Sequence, residues 1–320
     1  MIGLQNMTSN CFINVIIQVL LHMDKLNSAL YSSTGSIDET TCEAGVLKEW
    51  KLLHDRMLDE PKSFYPREFI ASVFKCAGEK GITTFTENSQ NDATEFLMFV
   101  METLHEAISG PSVMVGTRPT DSIDGQVWDL VKTQYSKKYS EILNIFYGIT
   151  INEIRSTEPH HRLRSSKPEH FLVTNLFIPM IEKPSLYDCL DETFNDEIME
   201  GDNEWFNDVT NKKEPVVTSY KIYSFPEILI FTLNRYSVRD KHTLVDIPTS
   251  VNMNSYSYKT NKKIFTLFAI CNHYGNDNNS GHYDIFIKKG NRWVCFDDDS
   301  VYSVKSSSVI SNNTYCLFYQ

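Results

Sequence analysis

After Ser9 and Asn10 the chain turns abruptly apolar. Phe12, Ile13, Val15, Ile16, Ile17, Val19, Leu20 and Leu21 follow Cys11 with only Asn14 and Gln18 as polar interruptions. Ser and Asn are favoured helix N-caps, and apolar residues nearly all round predict a helix buried in the core. A second helix is predicted from near Asn91 through Phe96, Leu97, Phe99, Val100 and Leu104, where apolar residues recur at helical spacing. Between Ser109 and Asp124 the chain is rich in Gly, Pro, Ser and Thr and reads as a loop. The last half changes period. Ile228 to Leu233 and Ile264 to Cys271 are short apolar runs rich in β-branched residues. Tyr283 to Lys288 and Trp293 to Phe296 flank Gly290-Asn291, a hairpin signal, and Tyr315 to Tyr319 closes the chain as a further strand. Helices first and strands later predict an α+β fold. There is no internal repeat and no low-complexity tract.

Composition narrows the class. The 320 residues are 41% hydrophobic and 12% aromatic, enough for a large globular core. The net charge of -11, with no basic stripe to offset it, points away from nucleic acid. It is compatible with a basic partner, although most of these carboxylates read as solvated surface. Cys11, Cys42, Cys76, Cys189, Cys271, Cys295 and Cys316 are odd in number and scattered, with no C-x-x-C. That disfavours a disulfide framework and a zinc ribbon and fits a reducing compartment, so cytosol or nucleoplasm is expected. The run from Cys11 to Leu21 is too short to span a bilayer and has no basic flank, and Ile2 excludes N-myristoylation, so no membrane attachment is expected.

Two residues stand where chemistry is possible. Cys11 follows the predicted N-caps, and a helix N-terminus stabilises a thiolate through its free amides and dipole. Asn6, in a turn-like stretch just upstream, is a suitable amide donor for the oxyanion that a thiolate attack creates, although a turn role alone would also explain it. His282 follows Gly281 at the end of Gly275 to Ser280, a loop of small and polar residues, the kind of segment on which binding and catalytic groups collect. If Lys288 to Asn291 form the loop of the following hairpin, His282 faces Asp297 and Phe286 faces Trp293. A loop one residue shorter sets His282 against Asp298. A carboxylate there would fix the imidazole tautomer and support the imidazolium. Sequence geometry leaves both aspartates open.

Taken together, these segments resemble the ubiquitin-specific proteases. Gly3-Leu4-Gln5-Asn6-Met7-Thr8-Ser9-Asn10-Cys11-Phe12-Ile13-Asn14, running on to Gln18, is similar to the family's cysteine box. Gln90-Asn91-Asp92-Ala93-Thr94-Glu95-Phe96-Leu97 resembles its second box. His273-Tyr274-Gly275, Gly281-His282-Tyr283 and Trp293 to Asp298 resemble its histidine box. Phe146-Tyr147-Gly148, Leu186 to Leu190, Leu233 to Tyr236 and Tyr315 to Tyr319 fill the gaps in family order. The resemblance implies a papain-like fold in one catalytic domain over 1–320. Its thumb would cover about 1–140, its fingers about 145–165 and 190–222, and its palm the remainder. It implies Cys11 as nucleophile, His282 as base, Asp297 as orienting carboxylate, Asn6 as oxyanion donor and Asp298 as an assisting or substituting third residue. Asp92 and Glu95 match acidic residues that hold an arginine of the ubiquitin tail, and Gln90, His273 and Tyr283 of the same boxes are assigned to substrate binding with them. The activity implied is cleavage after the carboxy-terminal glycine of ubiquitin through a thioester, by a monomer acting on ubiquitinated proteins. A silent ubiquitin-binding module and a protease for a ubiquitin-like modifier are the rivals.

The departures from the family pattern are also specific. Thr8 replaces a glycine, so strain is expected at that position. Phe12 replaces a tyrosine and Asn91 a glutamine. Family members commonly pin the fingertips with two C-x-x-C pairs, yet Asn207 and Thr210 stand at aligned ligand positions and Ile154 to His161 holds no cysteine. Neither a metal nor any other cofactor is expected.

Overall fold

Buried apolar runs form the elements the pattern predicts, and the computed structural model shows how they meet. It describes every residue of the chain except 34–36, 87–88, 159, 161, 236–241, 260–262 and 278–279. Tyr236, His161 and the Asn278-Asn279 part of the loop before His282 lie outside the described residues. Helices come first: α1 (Cys11–Leu21), α2 (Asp24–Ser32), α3 (Cys42–Asp59), α4 (Arg67–Glu79), α5 (Ala93–Ile108), α6 (Ser122–Lys137) and α7 (Glu141–Phe146). The remainder is β1 (Gly148–Ser156), β2 (Leu163–Phe171), β3 (Val173–Phe177), α8 (Leu186–Phe194), β4 (Glu197–Met199), β5 (Trp205–Asn207), β6 (Lys212–Glu214) and β7 (Val216–Ser224). Then follow β8 (Leu229–Asn234), β9 (Ser250–Asn252), β10 (Ile264–Asp277), β11 (Ser280–Lys289), β12 (Arg292–Asp297), β13 (Ser300–Val304) and β14 (Thr314–Tyr319). Among the described residues no helix is long and apolar enough to cross a membrane.

The largest sheet runs β13-β12-β11-β10-β14-β8-β3, with β9 paired to β10. Strand alternation sends one set of side chains to each face. Ala269, Cys271, Ile285, Ile287, Val294, Phe296, Cys316 and Phe318 pack with the helical layer of α1, α3, α4 and α5. Their neighbours Ile270, Phe286, Trp293, Cys295, Leu317 and Tyr319 pack on the opposite face with Leu186, Cys189 and Leu190 of α8. With sheet on one side and helices on the other, α1 is buried from Cys11 through Leu20. That explains its all-round apolar character.

The β11–β12 hairpin corrects one expectation. Ile285 pairs with Phe296, Phe286 with Cys295 and Lys289 with Arg292, so the turn is the two-residue Gly290-Asn291 rather than a four-residue loop. Two-residue turns match the natural twist of paired strands, which longer loops match less well. Phe286 therefore lies opposite Cys295, not Trp293.

Where the fingers are expected, β2-β1-β7-β4 form a separate antiparallel sheet, with the β5–β6 hairpin at its tip. The hairpin is held by polar side chains. Buried Asn207 accepts from the Val209 and Thr210 amides at 2.9 and 3.3 Å and donates to Glu214 at 3.0 Å. Glu214 in turn pairs with Arg164 Nε of β2 at 2.9 Å. One amide side chain thus satisfies two turn amides and a carboxylate at the tip. Replacing Asn207 by Ala leaves these groups unpartnered, and we expect a loss of about 1–3 kcal/mol, read as a lower Tm. A metal chelator is expected to leave the Tm of the unmodified protein unchanged; a fall on chelation would assign the tip to a metal instead.

Candidate active site

Burial of α1 against β11 and β12 brings the beginning and end of the chain together. Cys11 is the first residue of α1 and only 3% exposed, so its thiol sits at the positive end of the helix dipole. Asn10 occupies the N-cap position, as the sequence predicts, but its side chain makes no cap hydrogen bond. Its Oδ1 instead accepts from the Met7 and Thr8 amides at 3.1 and 3.3 Å, and its Nδ2 donates to Asn14 Oδ1 at 3.1 Å. The turn before the thiol is therefore latched from within. The positive φ in this turn falls on Ser9, at 61°, and not on Thr8. The strain expected at Thr8 is displaced by one residue, to an exposed serine.

His282 pairs in register with Tyr274 of β10, and the two rings lie at 6.4 Å with an interplanar angle of 30°. Its Nε2 is 2.6 Å from Asp297 Oδ1, which leaves Nδ1 for the thiol. Asp297 thus reaches the imidazole as a diagonal neighbour on the same sheet face, not as the direct partner a longer hairpin loop would have made it. A hydrogen bond with Cys11 is the main cause that raises the imidazole pKa to about 9. Burial opposes the rise, and the Asp297 hydrogen bond and charge reinforce it. An imidazolium beside the thiol is what a thiolate–imidazolium pair requires. On the same face, buried Asp284 accepts from Asn272 at 2.7 Å and Tyr274 at 2.9 Å, and burial raises its pKa.

Asp298 does not join His282 in a direct hydrogen bond. It opens the Asp298-Asp299 turn in the left-handed region, at φ 50°, which aspartate tolerates better than most residues. Its carboxylate takes Asn6 Nδ2 at 2.9 Å on one oxygen and Asn14 Nδ2 at 2.8 Å on the other. Asn6 Oδ1 accepts from the Asn10 amide at 3.0 Å. With one N–H held by Asp298 and its carbonyl held by Asn10, the Asn6 amide has a fixed plane and one N–H left over. The backbone closes the same contact: Leu4 N–H donates to Asp298 O at 2.8 Å, and a Cβ at Gly3 would lie 2.4 Å from that oxygen. Only glycine fits there.

The remaining residues assigned from sequence fall into two groups. Asp92 caps α5, accepting from the Thr94 and Glu95 amides at 2.7 and 3.1 Å, while its other oxygen accepts from the Tyr315 hydroxyl. At 6% exposure, with both oxygens engaged, it is a buried cap. Glu95, one turn on, is exposed. Both line a cavity of about 270 Å³ between α5 and the β3–β8–β14 edge, shared with Asn175, Thr232 and Tyr315. Gln90 Oε1 accepts the Gly281 amide at 3.1 Å and so holds the backbone next to His282. His273 and Tyr283 are 6% and 3% exposed with ring centroids 4.4 Å apart, so both rings are buried against each other. A Cβ at Gly281 would lie 2.5 Å from His273 Nε2, so the imidazole of His273 requires a glycine there.

Asn14 and Gln18 were visible in the sequence only as polar interruptions of an apolar helix, and that was the signal to follow. Buried polar side chains need partners. Asn14 finds Asp298 and the Leu4 carbonyl, and Gln18 Nε2 finds the Ile2 carbonyl at 3.0 Å. Neither was assigned a role from sequence.

Comparisons with known proteins bear on the family and the fold. The family model described as ubiquitin carboxyl-terminal hydrolase matches residues 2–319. Among curated relatives, ubiquitin carboxyl-terminal hydrolase Usp2 of Drosophila melanogaster is 27% identical over 331 residues, covering 99% of this chain and 34% of that protein. Ubiquitin carboxyl-terminal hydrolase 17-like protein D of Mus musculus is 29% identical, covering 99% of this chain and 54% of that protein. Ubiquitin carboxyl-terminal hydrolase 21 of Bos taurus is 25% identical, covering 100% and 61%. The chain thus spans about a third to three-fifths of the length of these relatives. The fold is also that of a solved structure titled as the SAGA DUB module of Ubp8, Sgf11, Sus1 and Sgf73 bound to monoubiquitin. The TM-score is 0.73 at 21% identity, covering all of this chain and 69% of that one. With a match over nearly its entire length, the chain belongs to the ubiquitin carboxyl-terminal hydrolase family.

Proposed function

We propose that the protein is a cysteine-type deubiquitinating hydrolase that cleaves the peptide or isopeptide bond after the carboxy-terminal glycine of ubiquitin. The observation that carries this reading is His282, set between Asp297 at 2.6 Å and the Cys11 thiol at the head of α1, with its pKa raised to about 9. The Cys11 thiolate attacks the glycine carbonyl, and the oxyanion that forms takes the free N–H of Asn6. The His282 imidazolium gives its proton to the departing amine, leaving a thioester on Cys11. Neutral His282 then draws a proton from water, whose oxygen attacks the thioester and releases ubiquitin and the thiol. The cavity bordered by Glu95 is positioned to receive a basic tail. Localisation in cytosol or nucleus is supported by seven cysteines that are all free. The reading keeps the protein a monomer acting on ubiquitinated proteins.

Incubation with ubiquitin carrying an electrophilic carboxy terminus is expected to give one covalent adduct, at Cys11, and Cys11→Ala to give none while still binding ubiquitin. A ubiquitin-like probe that reacts faster would move the substrate to that modifier.

Because the imidazolium is the acid for the leaving amine, kcat/KM is expected to fall as pH rises through about 9. Asp297→Ala removes one of the causes that raise this pKa, so the alkaline limb should move to lower pH. Turnover should drop by roughly 10²–10⁴-fold. Asp298→Ala acts through the Asn6 amide, so its smaller loss, on the order of tenfold to a hundredfold, is expected in kcat with the alkaline limb unmoved. A larger loss at Asp298, or a moved limb, would reverse the two roles.

Glu95→Arg is expected to raise KM for ubiquitin substrates severalfold with Tm unchanged. Asp92→Ala removes a buried cap and the Tyr315 partner, and should lower Tm by an amount corresponding to about 1–2 kcal/mol. If Glu95→Arg altered Tm alone, Glu95 would have no part in binding.

A further inference from the structure

Two thiols other than Cys11 stand close enough to react with each other. Cys42 opens α3 and Cys76 lies in the last turn of α4, and the packing of these helices brings both sulfurs to one end of the pair. The two sulfurs and a Glu43 carboxylate oxygen all lie within 4.8 Å of one another. Cys42 is half-buried at the surface, and Cys76 sits fully buried behind it. Cys42 Sγ donates to Glu43 Oε2 at 3.4 Å.

A thiol pair beside a carboxylate could also hold a soft cation, but here the charge is wrong. Lys80 Nζ lies 2.7 Å from Glu43 and also pairs with Glu106, so the third ligand is already neutralised by an ammonium. A neutral covalent link suits the position better than a cation. The other adjacent pair, Cys271 and Cys316 across β10 and β14, is buried inside the sheet, where no small oxidant reaches it. Cys42 has the access that pair lacks.

We propose that Cys42 and Cys76 form a reversible disulfide, with a low-molecular-weight disulfide of the glutathione class as oxidant. Cys42 loses its proton, its sulfur attacks one sulfur of the oxidant, and one thiolate leaves and is protonated. The Cys76 thiolate then attacks Cys42 Sγ and expels the second. Two protein thiols are oxidised by two electrons while the oxidant is reduced to two small thiols. Burial pushes both protein thiols above the usual cysteine range, so the pair reacts slowly. The link joins α3 to α4 and uses neither Cys11 nor His282. It does not depend on which substrate the cleft takes.

The test is to incubate the purified protein with oxidised glutathione, quench in acid, alkylate, digest and map by mass spectrometry. Expected is a peptide pair joined through Cys42 and Cys76, reversed by dithiothreitol, with a Tm raised by a few degrees before reversal. In Cys76→Ser, Cys42 should retain a stable glutathione adduct. In Cys42→Ser, which changes only a half-buried position, Cys76 should stay unmodified. Mapping separates these products from glutathione on Cys11. The proposal is overturned if wild-type Cys42 stops at the mixed disulfide with Cys76 still alkylatable, if both remain free while Cys11 reacts, or if a stoichiometric metal masks them.

Discussion

Everything at the site depends on how α1 sits against β11 and β12. The helix has no exposed face of its own, so it must be enclosed by sheet on one side and by α5 on the other. Enclosure fixes its long axis, and the axis fixes where its first residue ends up. The Cys11 thiol is thus placed by the packing of Phe12, Ile13, Ile16 and Ile17, and close packing leaves such a helix little freedom to slide.

Apolar packing alone does not set the rotation of a helix that is greasy all round. The polar groups do. Asn14 and Gln18 are one turn apart on the same side, and both reach the backbone of the segment before Asn6. Asp298 then ties Asn14 to Asn6 from the opposite end of the chain. Turning α1 by one residue would bury these amides without partners, which costs far more than the hydrogen bonds themselves contribute. A hydrophobic seat with a polar key gives both affinity and register.

Much of this was legible in the residues. The span of α1, the α+β order and the pairing of His282 with Asp297 are visible, although the last was reached through a hairpin loop two residues too long. The correct contact survived because Asp297 lies on the same face at either register, and face depends on parity. What could not be read was which polar atoms face one another across long sequence separations. Asn10 reads as a cap but braces the turn before it. Asp92 reads from its box alone as a substrate ligand, and its bond to Tyr315, over two hundred residues away, is a partner no local pattern could show. Asn207 reads only as a missing cysteine, yet its amide organises the hairpin by different chemistry.

The Gly3–Asp298 contact has a consequence for how the protein comes into being. Cys11 is made well before His282, Asp297 and Asp298, and the segment that carries Leu4, which also meets Phe64, lacks the Asp298 half of its contacts until the far turn exists. During synthesis the nascent chain therefore carries the Cys11 thiol with neither the His282 imidazole beside it nor the Asp298 carboxylate that holds the Asn6 amide. The Cys11–His282–Asp297 grouping assembles only once β11 and β12 are made, and a nascent chain that stops short of them holds the thiol without its imidazole.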